Sequence, residues 1–321
     1  MRTYFLFFTF LLLGFSKLAF AQFPTDLQHA IIKLHVINNT VWFNQDNEFR
    51  VLDLSTMEDV SETNLLLKRG YIPFTSVEDE HCFWGNDSIL IIDSNFKETL
   101  IAYPAELSSF YFTGLESIKN SHTKLGKDSL LIQGFFSLKN HENATKFVEL
   151  ILGKSGTYKL PDYKKKYSLS PSYKIIKTND SPMYLVDTWK VIRITNDSEL
   201  TIDLSSLNYP RNLATPIIGA DQSLWVYHFD RGLLNITDKV NKRYDFKFKS
   251  KQDAGRPVNI ELYQNKYPLL CTTREVALFK DETWFVLPQD LDDDELIFTM
   301  KIWKNTLILG TSKGLRMKEI N

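Results

Sequence analysis

The sequence predicts an all-β protein in which one small four-stranded unit is built seven times in succession. Three observations predict it. Asp221 to Leu233 runs as a polar turn, a short apolar strand around Trp225, a loop and then Gly232-Leu233, and Asn305 to Leu315 repeats that order, ending in Gly314-Leu315. Aromatic residues make up 13% of the chain, β-branched residues are frequent and long helical periodicity is missing, which suits pleated, half-buried surfaces. Turns built from Asn, Asp and Lys recur at similar intervals between short apolar runs.

Taken in chain order, the second strand of each unit centres on Trp42, Leu90, Leu131, Tyr184, Trp225, Leu270 and Ile308, at intervals of 48, 41, 53, 41, 45 and 38 residues. Their preceding turns are Asn38-Asn39, Asn86-Asp87, Lys127-Asp128, Asn179-Asp180, Asp221-Gln222, Asn265-Lys266 and Lys304-Asn305. Asn and Asp tolerate the left-handed backbone that a tight hairpin demands. The third unit carries a poorly patterned insert from Leu150 to Tyr173, with Lys164-Lys165-Lys166 inside it. The sixth is complete: Pro257 to Tyr263, Pro268 to Thr272, Val276 to Phe279 and Trp284 to Leu287. The seventh offers Leu296 to Trp303, Thr306 to Gly310 and Leu315 to Ile320, with no obvious fourth strand. Seven such units, averaging about 44 residues, match a β-propeller. Closing that ring calls for residues after Gln22 to add to the last unit, and Pro24 keeps such a strand short. A β-sandwich would also show short strands and frequent turns, but not this spacing.

The first residues read as a secretory signal. Arg2 supplies the positive start, Tyr4 to Phe15 the apolar core, and Ala19-Phe20-Ala21 the small residues before cleavage between Ala21 and Gln22. That run is too short to span a bilayer, and no later segment is long and apolar enough. The expected organisation is residues 1–21 as signal peptide and 22–321 as one exported propeller domain, periplasmic or extracellular and monomeric. Lys plus Arg (38) nearly balance Asp plus Glu (39), so no long-range field favours nucleic acid. Cys82 and Cys271 fall in the second and sixth units, which are not neighbours around a ring, so two buried thiols are expected rather than a disulfide.

The segments Asp221 to Leu233 and Asn305 to Leu315 resemble the two-component-regulator propeller repeat, whose units centre on a Leu-Trp-Ile-Gly-Thr strand followed by Gly-Leu. Leu307-Ile308-Leu309-Gly310-Thr311 with Gly314-Leu315 is the nearest copy, and Leu224-Trp225 with Gly232-Leu233 the next. Trp42 keeps the aromatic and loses the glycine pair. The resemblance implies an exported ligand-sensing or interaction domain. Propellers of that family often precede a membrane helix and a kinase, and this chain reads as a free-standing one.

Motifs for chemistry are sparse. Gly153-Lys154-Ser155 lacks the first glycine of a phosphate loop, since Val148 stands there, and His141-Glu142 lacks the second zinc ligand, since Thr145 stands there. No cofactor and no metal site are expected. The acidic run Asp290, Asp292, Asp293, Asp294 and Glu295 reads as a solvated loop; an EF-hand calcium loop would need glycine where Glu295 stands. No Gly-x-Ser-x-Gly elbow occurs. The candidate ligand residues are His228, Asp230 and Arg231, in the loop after the Trp225 strand, because aromatic and arginine groups make good anchors. Sequons at Asn38, Asn86, Asn143, Asn196 and Asn235 mostly coincide with turns. The expected function is recognition of a protein or a glycan through one propeller face. The alternative is a carbohydrate-active enzyme, a glycoside hydrolase or lyase, with carboxylates in the central channel.

Overall fold

A computed structural model describes residues 30–320 except 46–47, 78–79, 86–87, 94, 103–109, 112–120, 125–128, 139–144, 154–155, 159–162, 171–172, 177–181, 188–189, 196, 205–215, 220, 229–231, 238–240 and 245–256. Among the described residues the strands form seven antiparallel sheets, each made of consecutive strands.

The first sheet is β1 (Leu34–Ile37), β2 (Thr40–Gln45) and β3 (Glu48–Asp53), followed by the short helix α1 (Leu65–Lys68). The second is β4 (Ile72–Val77), β5 (Glu80–Trp84), β6 (Ser88–Ile92) and β7 (Glu98–Ala102). The third holds β8 (Phe110–Tyr111), β9 (Ser121–Lys124), β10 (Ser129–Leu138), β11 (Thr145–Gly153) and β12 (Gly156–Tyr158), with helix α2 (Tyr163–Tyr167) after it. The fourth is β13 (Lys174–Ile176), β14 (Met183–Val186), β15 (Lys190–Ile194) and β16 (Glu199–Asp203). The fifth is β17 (Ile217–Ile218), β18 (Leu224–His228), β19 (Gly232–Ile236) and β20 (Asn241–Tyr244). The sixth is β21 (Pro257–Tyr263), β22 (Tyr267–Thr272), β23 (Val276–Lys280) and β24 (Thr283–Leu287). The last is β25 (Ile297–Trp303), β26 (Thr306–Thr311) and β27 (Gly314–Glu319).

The hairpin chemistry read from the sequence is visible in the backbone. Asn38, Gln222, Gln264, Asn265 and Lys304 all take positive φ, between 53° and 62°, at the turns that open the second strands of four sheets. Trp42, Tyr184, Trp225, Leu270 and Ile308 lie on second strands as expected. Leu90 does not: it lies on β6, the third strand of its sheet, because His81-Cys82-Phe83 already forms the second. Leu131 lies on β10, between β9 and β11. The basic insert contains α2.

Four strands per unit hold for the second, fourth, fifth and sixth sheets; the first and last have three and the third has five among the described residues. In the first sheet the reason is local. The segment after β3 turns back along its outer edge, where Val60 N–H donates to Val51 O (2.8 Å), Val51 N–H donates to Ser61 Oγ (2.8 Å) and Asp59 pairs with Arg50. That cover takes the place of a fourth strand. Asn64 then caps α1, its Oδ1 accepting from Leu66 N (3.1 Å) and Leu67 N (3.0 Å).

The core lies between sheets rather than inside one. β2, β22 and β26 are buried at almost every position, since each is covered on both faces by neighbouring sheets. Tyr184, Val186 and Val191 pack against Leu224, Val226 and Leu234; Leu269, Cys271 and Leu278 against Met300, Leu307 and Leu309; and Trp42 and Val51 against Phe83 and Leu90. Fully burying one such side chain contributes about 1.5–3 kcal/mol. First strands of the sheets, with β9 in that place in the third, also touch: β1 lies against β4, β4 against β9, β9 against β13, and β17 against β21, β21 against β25.

β25 in turn lies against β1, so the last sheet adjoins the first. Ile31, Leu34, Val41 and Phe43 pack on Ile308 and Leu315, and Ile31 N–H donates to Thr311 O (2.9 Å). The edge strand expected after Gln22 falls, as far as residue 29, outside the described residues. The signal sequence falls there too.

Candidate functional site

Between the fifth and sixth sheets, at the end where their hairpin turns gather, lies a cavity of about 560 Å³. Asp221 and Trp225 line it from the fifth sheet; Gln264, Asn265, Lys266, Tyr267, Pro268, Phe279 and Asp281 line it from the sixth. The turn before β18 is tightly ordered. Asp221 Oδ1 accepts from Ser223 N (3.1 Å) and Ser223 Oγ (2.6 Å), Gly219 N–H donates to Ser223 O (2.8 Å), and Tyr184 from the fourth sheet donates to Gln222 O (2.9 Å). Gly219 is needed there: a Cβ would come within 2.7 Å of Asp221 Oδ1 and 3.1 Å of Trp225 Nε1.

The wall behind the cavity is aromatic. Trp225 stacks on Tyr244 at 6.1 Å and meets Phe279 edge-on at 6.0 Å, and Phe279 contacts Trp284 at 4.8 Å. Tyr267 lies under the ammonium groups of Lys266 (4.8 Å) and Lys280 (5.4 Å). Asp221, Gln264, Asn265, Lys266 and Asp281 are exposed at the rim. A half-buried aromatic floor with a few polar groups around it is the usual make-up of a binding pocket. Its rim, two carboxylates and one ammonium beside two amides, suits hydrogen bonding more than strong charge steering.

Of the three residues singled out in the sequence, His228 alone is among the described residues. His228 closes β18 at the end opposite Asp221 and pairs in register with Gly232. Asp230 and Arg231 fall outside the described residues. Trp225, read from the sequence as packing between units, does pack so, and it also lines the cavity. Tyr267, Phe279 and Asp281 escaped the sequence reading because they belong to a different unit from Trp225. One signal pointed to them: Asp221-Gln222 and Asn265-Lys266 occupy equivalent turns of adjacent units and so come to the same end of the molecule.

A second polar group lies on the first strands. Lys301 of β25 pairs with Glu261 of β21 at 2.5 Å, and Asn259 Nδ2 donates to Glu261 Oε1 (3.2 Å) and Met300 O (3.0 Å). Burial, then the nearby Lys301, Lys33 and His81, holds the His35 pKa down at about 3, and burial alone lowers Lys33 to about 8. Glu261 is the one carboxylate in the sequences of β1, β4, β9, β13, β17, β21 and β25. A pair of catalytic carboxylates for glycoside chemistry therefore cannot come from these strands.

The acidic run differs in part from the solvated loop expected. Asp290, Asp292, Asp293 and Asp294 are exposed, with Asp292 and Asp294 both held by Lys313 (2.9 and 2.5 Å) and Asp290 facing Lys318 (3.4 Å). Glu295 is fully buried. It accepts from Arg316 Nε (2.9 Å), Arg316 NH2 (2.8 Å) and the Thr311 hydroxyl. Among the described residues no group of three or more His, Cys, Asp or Glu is placed to hold a metal ion. Cys82 and Cys271 are buried and form no disulfide. The sequon residue Asn235 is also buried, donating to Ser223 Oγ (3.0 Å), which closes that position to glycosylation in the folded chain.

Seven antiparallel sheets of consecutive strands, packed on their neighbours wherever their side chains are described, define an all-β protein of the β-propeller type. Solved structures bear this out. The chain is similar to virginiamycin B lyase from Staphylococcus aureus, at 14% identity and a TM-score of 0.51, over 91% of this chain and 95% of that one. It is similar to the extracellular domain of a putative hybrid two-component system from B. thetaiotaomicron, at 12% identity and a TM-score of 0.55, over 93% of this chain but 39% of that one. It is also similar to YCF48 from Cyanidioschyzon merolae, at 12% identity and a TM-score of 0.53, over 94% and 98% of the two chains. At such identities the likeness is one of fold. The second of these shares the propeller fold expected from the repeat. No protein-family model matches the sequence, and no curated protein matches it. No helix among the described residues is long and apolar enough to cross a membrane.

Proposed function

We propose that this protein is an exported, monomeric β-propeller of seven blades that recognises a protein or a glycan through the face where the fifth and sixth sheets meet. The observation that carries this reading is the cavity walled by Trp225, Tyr267 and Phe279 and rimmed by Asp221 and Asp281. Rigid aromatic rings give large contact area at small entropic cost, and the rim groups supply orientation. The packing of Ile31 and Leu34 on Ile308 and Leu315 supports a closed ring, with residues 22–321 as one domain after cleavage behind Ala21. One structural neighbour, YCF48, is described bound to a D1 peptide, which supports peptide recognition as one use of this fold.

The test compares two sets of variants on the immobilised protein, probed with a soluble oligosaccharide panel and with an exported-protein extract. Gln264→Ala with Tyr267→Ala should remove whatever the unmodified protein captures, while His228→Gln with Arg231→Gln should leave it. The opposite pattern would move the site to the loop after β18. Retention by both sets would rule out both places.

A further inference from the structure

The outer strand of a sheet presents main-chain N–H and C=O groups that another strand could join, and proteins guard such edges with charge, proline or short length. Among the described residues the strands that end each sheet on its C-terminal side follow that rule with one exception. β3 carries Glu48, Arg50 and Asp53; β7 Glu98; β16 Glu199 and Asp203; β20 Lys242 and Arg243; β27 Arg316, Lys318 and Glu319. β12 is three residues long. β24, Thr283–Leu287, has five residues with no charge and no proline. It also exposes two consecutive apolar side chains, Phe285 at 50% and Val286 at 42%.

The backbone of β24 is set up to receive a strand. Its hairpin with β23 turns on Asp281 and Glu282, at φ 51° and 59°, a two-residue turn flanked by the pair Lys280 and Thr283. In such a hairpin the flanking pair is hydrogen-bonded and bonding alternates along the ladder. Leu278 and Phe285 are thus a bonded pair, and the N–H and C=O of Val286 point away from β23. Among the described residues no strand pairs with β24 on that side.

Charge decides what kind of strand fits. Residues 281–295 hold seven carboxylates and no Lys or Arg. Lys242, Lys318, Lys313 and Arg316 match Glu282, Asp290, Asp292, Asp294 and Glu295, which leaves Asp281 and Asp293 without an ion pair among the described residues. A second copy of this chain would bring like-charged ends together, since antiparallel pairing sets the turn holding the unpaired Asp281 of one copy beside the loop after Leu287 of the other, which holds the unpaired Asp293. We propose that β24 is a strand-addition edge for an extended apolar segment of a partner protein with basic residues at its ends, a mode in which main-chain bonds supply affinity and alternate side chains supply selectivity.

Hydrogen–deuterium exchange on the purified protein tests this with a synthetic peptide of alternating Val and Thr, flanked by Lys-Arg at each end, and with the same peptide flanked by Glu-Glu. The basic peptide should slow exchange across residues 283–287 by about threefold or more. Phe285→Lys should abolish that protection. Val286→Pro should do so as well, and because the N–H it removes faces outward, the ladder to β23 survives. The comparison of the two peptides on unmodified protein stands even if either variant folds poorly. No protection by the basic peptide, equal protection by the acidic one, or concentration-dependent protection without peptide that Phe285→Lys removes would each overturn the proposal, the last by showing that a second copy takes the edge.

Discussion

The carboxylate of Glu295 is completely buried and is gripped by both Nε and NH2 of Arg316, at 2.9 and 2.8 Å. It ties the loop between the sixth and last sheets to β27, and the Thr311 hydroxyl that also donates to it belongs to the residue whose carbonyl accepts from Ile31. Removing one partner of a buried pair leaves an uncompensated charge, which costs about 3–5 kcal/mol. Arg316→Met should therefore lower stability by about 3 kcal/mol in urea unfolding, allowing for the partial exposure of Arg316. Lys313→Met, at an exposed pair, should change it by well under about 1 kcal/mol.

His35 should make the protein acid-sensitive before its carboxylates titrate. Burial and the positive charges around it hold the folded pKa at about 3, whereas the unfolded chain takes up its proton near the ordinary 6.5. Stability is full above pH 6.5 and falls as pH drops towards 3, with a slope of up to about 1.4 kcal/mol per pH unit. Chemical denaturation between pH 7 and 5 should show this slope, and His35→Gln should flatten it.

Gly310 is where the last sheet meets the residues leading into the first. A Cβ there would lie 2.6 Å from Ile31 O and 2.6 Å from Thr299 Cγ2, and a main-chain carbonyl yields little. Gly310→Ala should cost about 1–3 kcal/mol by overpacking. That Cβ would also lie 2.8 Å from Ile31 Cγ2, which Ile31→Ala removes, so the two costs should be less than additive in a double-mutant cycle; additive costs would show that the two side chains do not meet there.

The thiols should be silent in the folded state. Cys271 is fully buried, and burial, then the Glu261 charge, pushes its pKa up, so little thiolate forms. Alkylation at pH 8 should be slow for the native protein and should add two groups per chain in denaturant without reductant. A product carrying none would show a disulfide.

Much of the fold was legible because hairpins are local. Asn38, Asn265 and Lys304 announced turns with positive φ, and the sixth and last units, whose strands are separated by such turns, were readable nearly to the residue. The slip at Leu90 has a physical source. Cys82-Phe83-Trp84 and Ile89-Leu90-Ile91 are both short apolar runs, and nothing local ranks one before the other as second strand. Strict alternation was no guide either, since β2 and β26 are covered on both faces.

The sequence alone determined an all-β chain of repeated hairpins with little charge to steer a ligand, because turn chemistry, strand composition and net charge are carried by neighbouring residues or by the whole count. It placed Trp225 on the second strand of the fifth unit. Tertiary structure decided what Trp225 faces. Tyr267 and Phe279 reach it from the next sheet and Glu295 finds Arg316 across a hairpin, and no pattern encodes such meetings, because packing between sheets, not spacing along the chain, brings those atoms together.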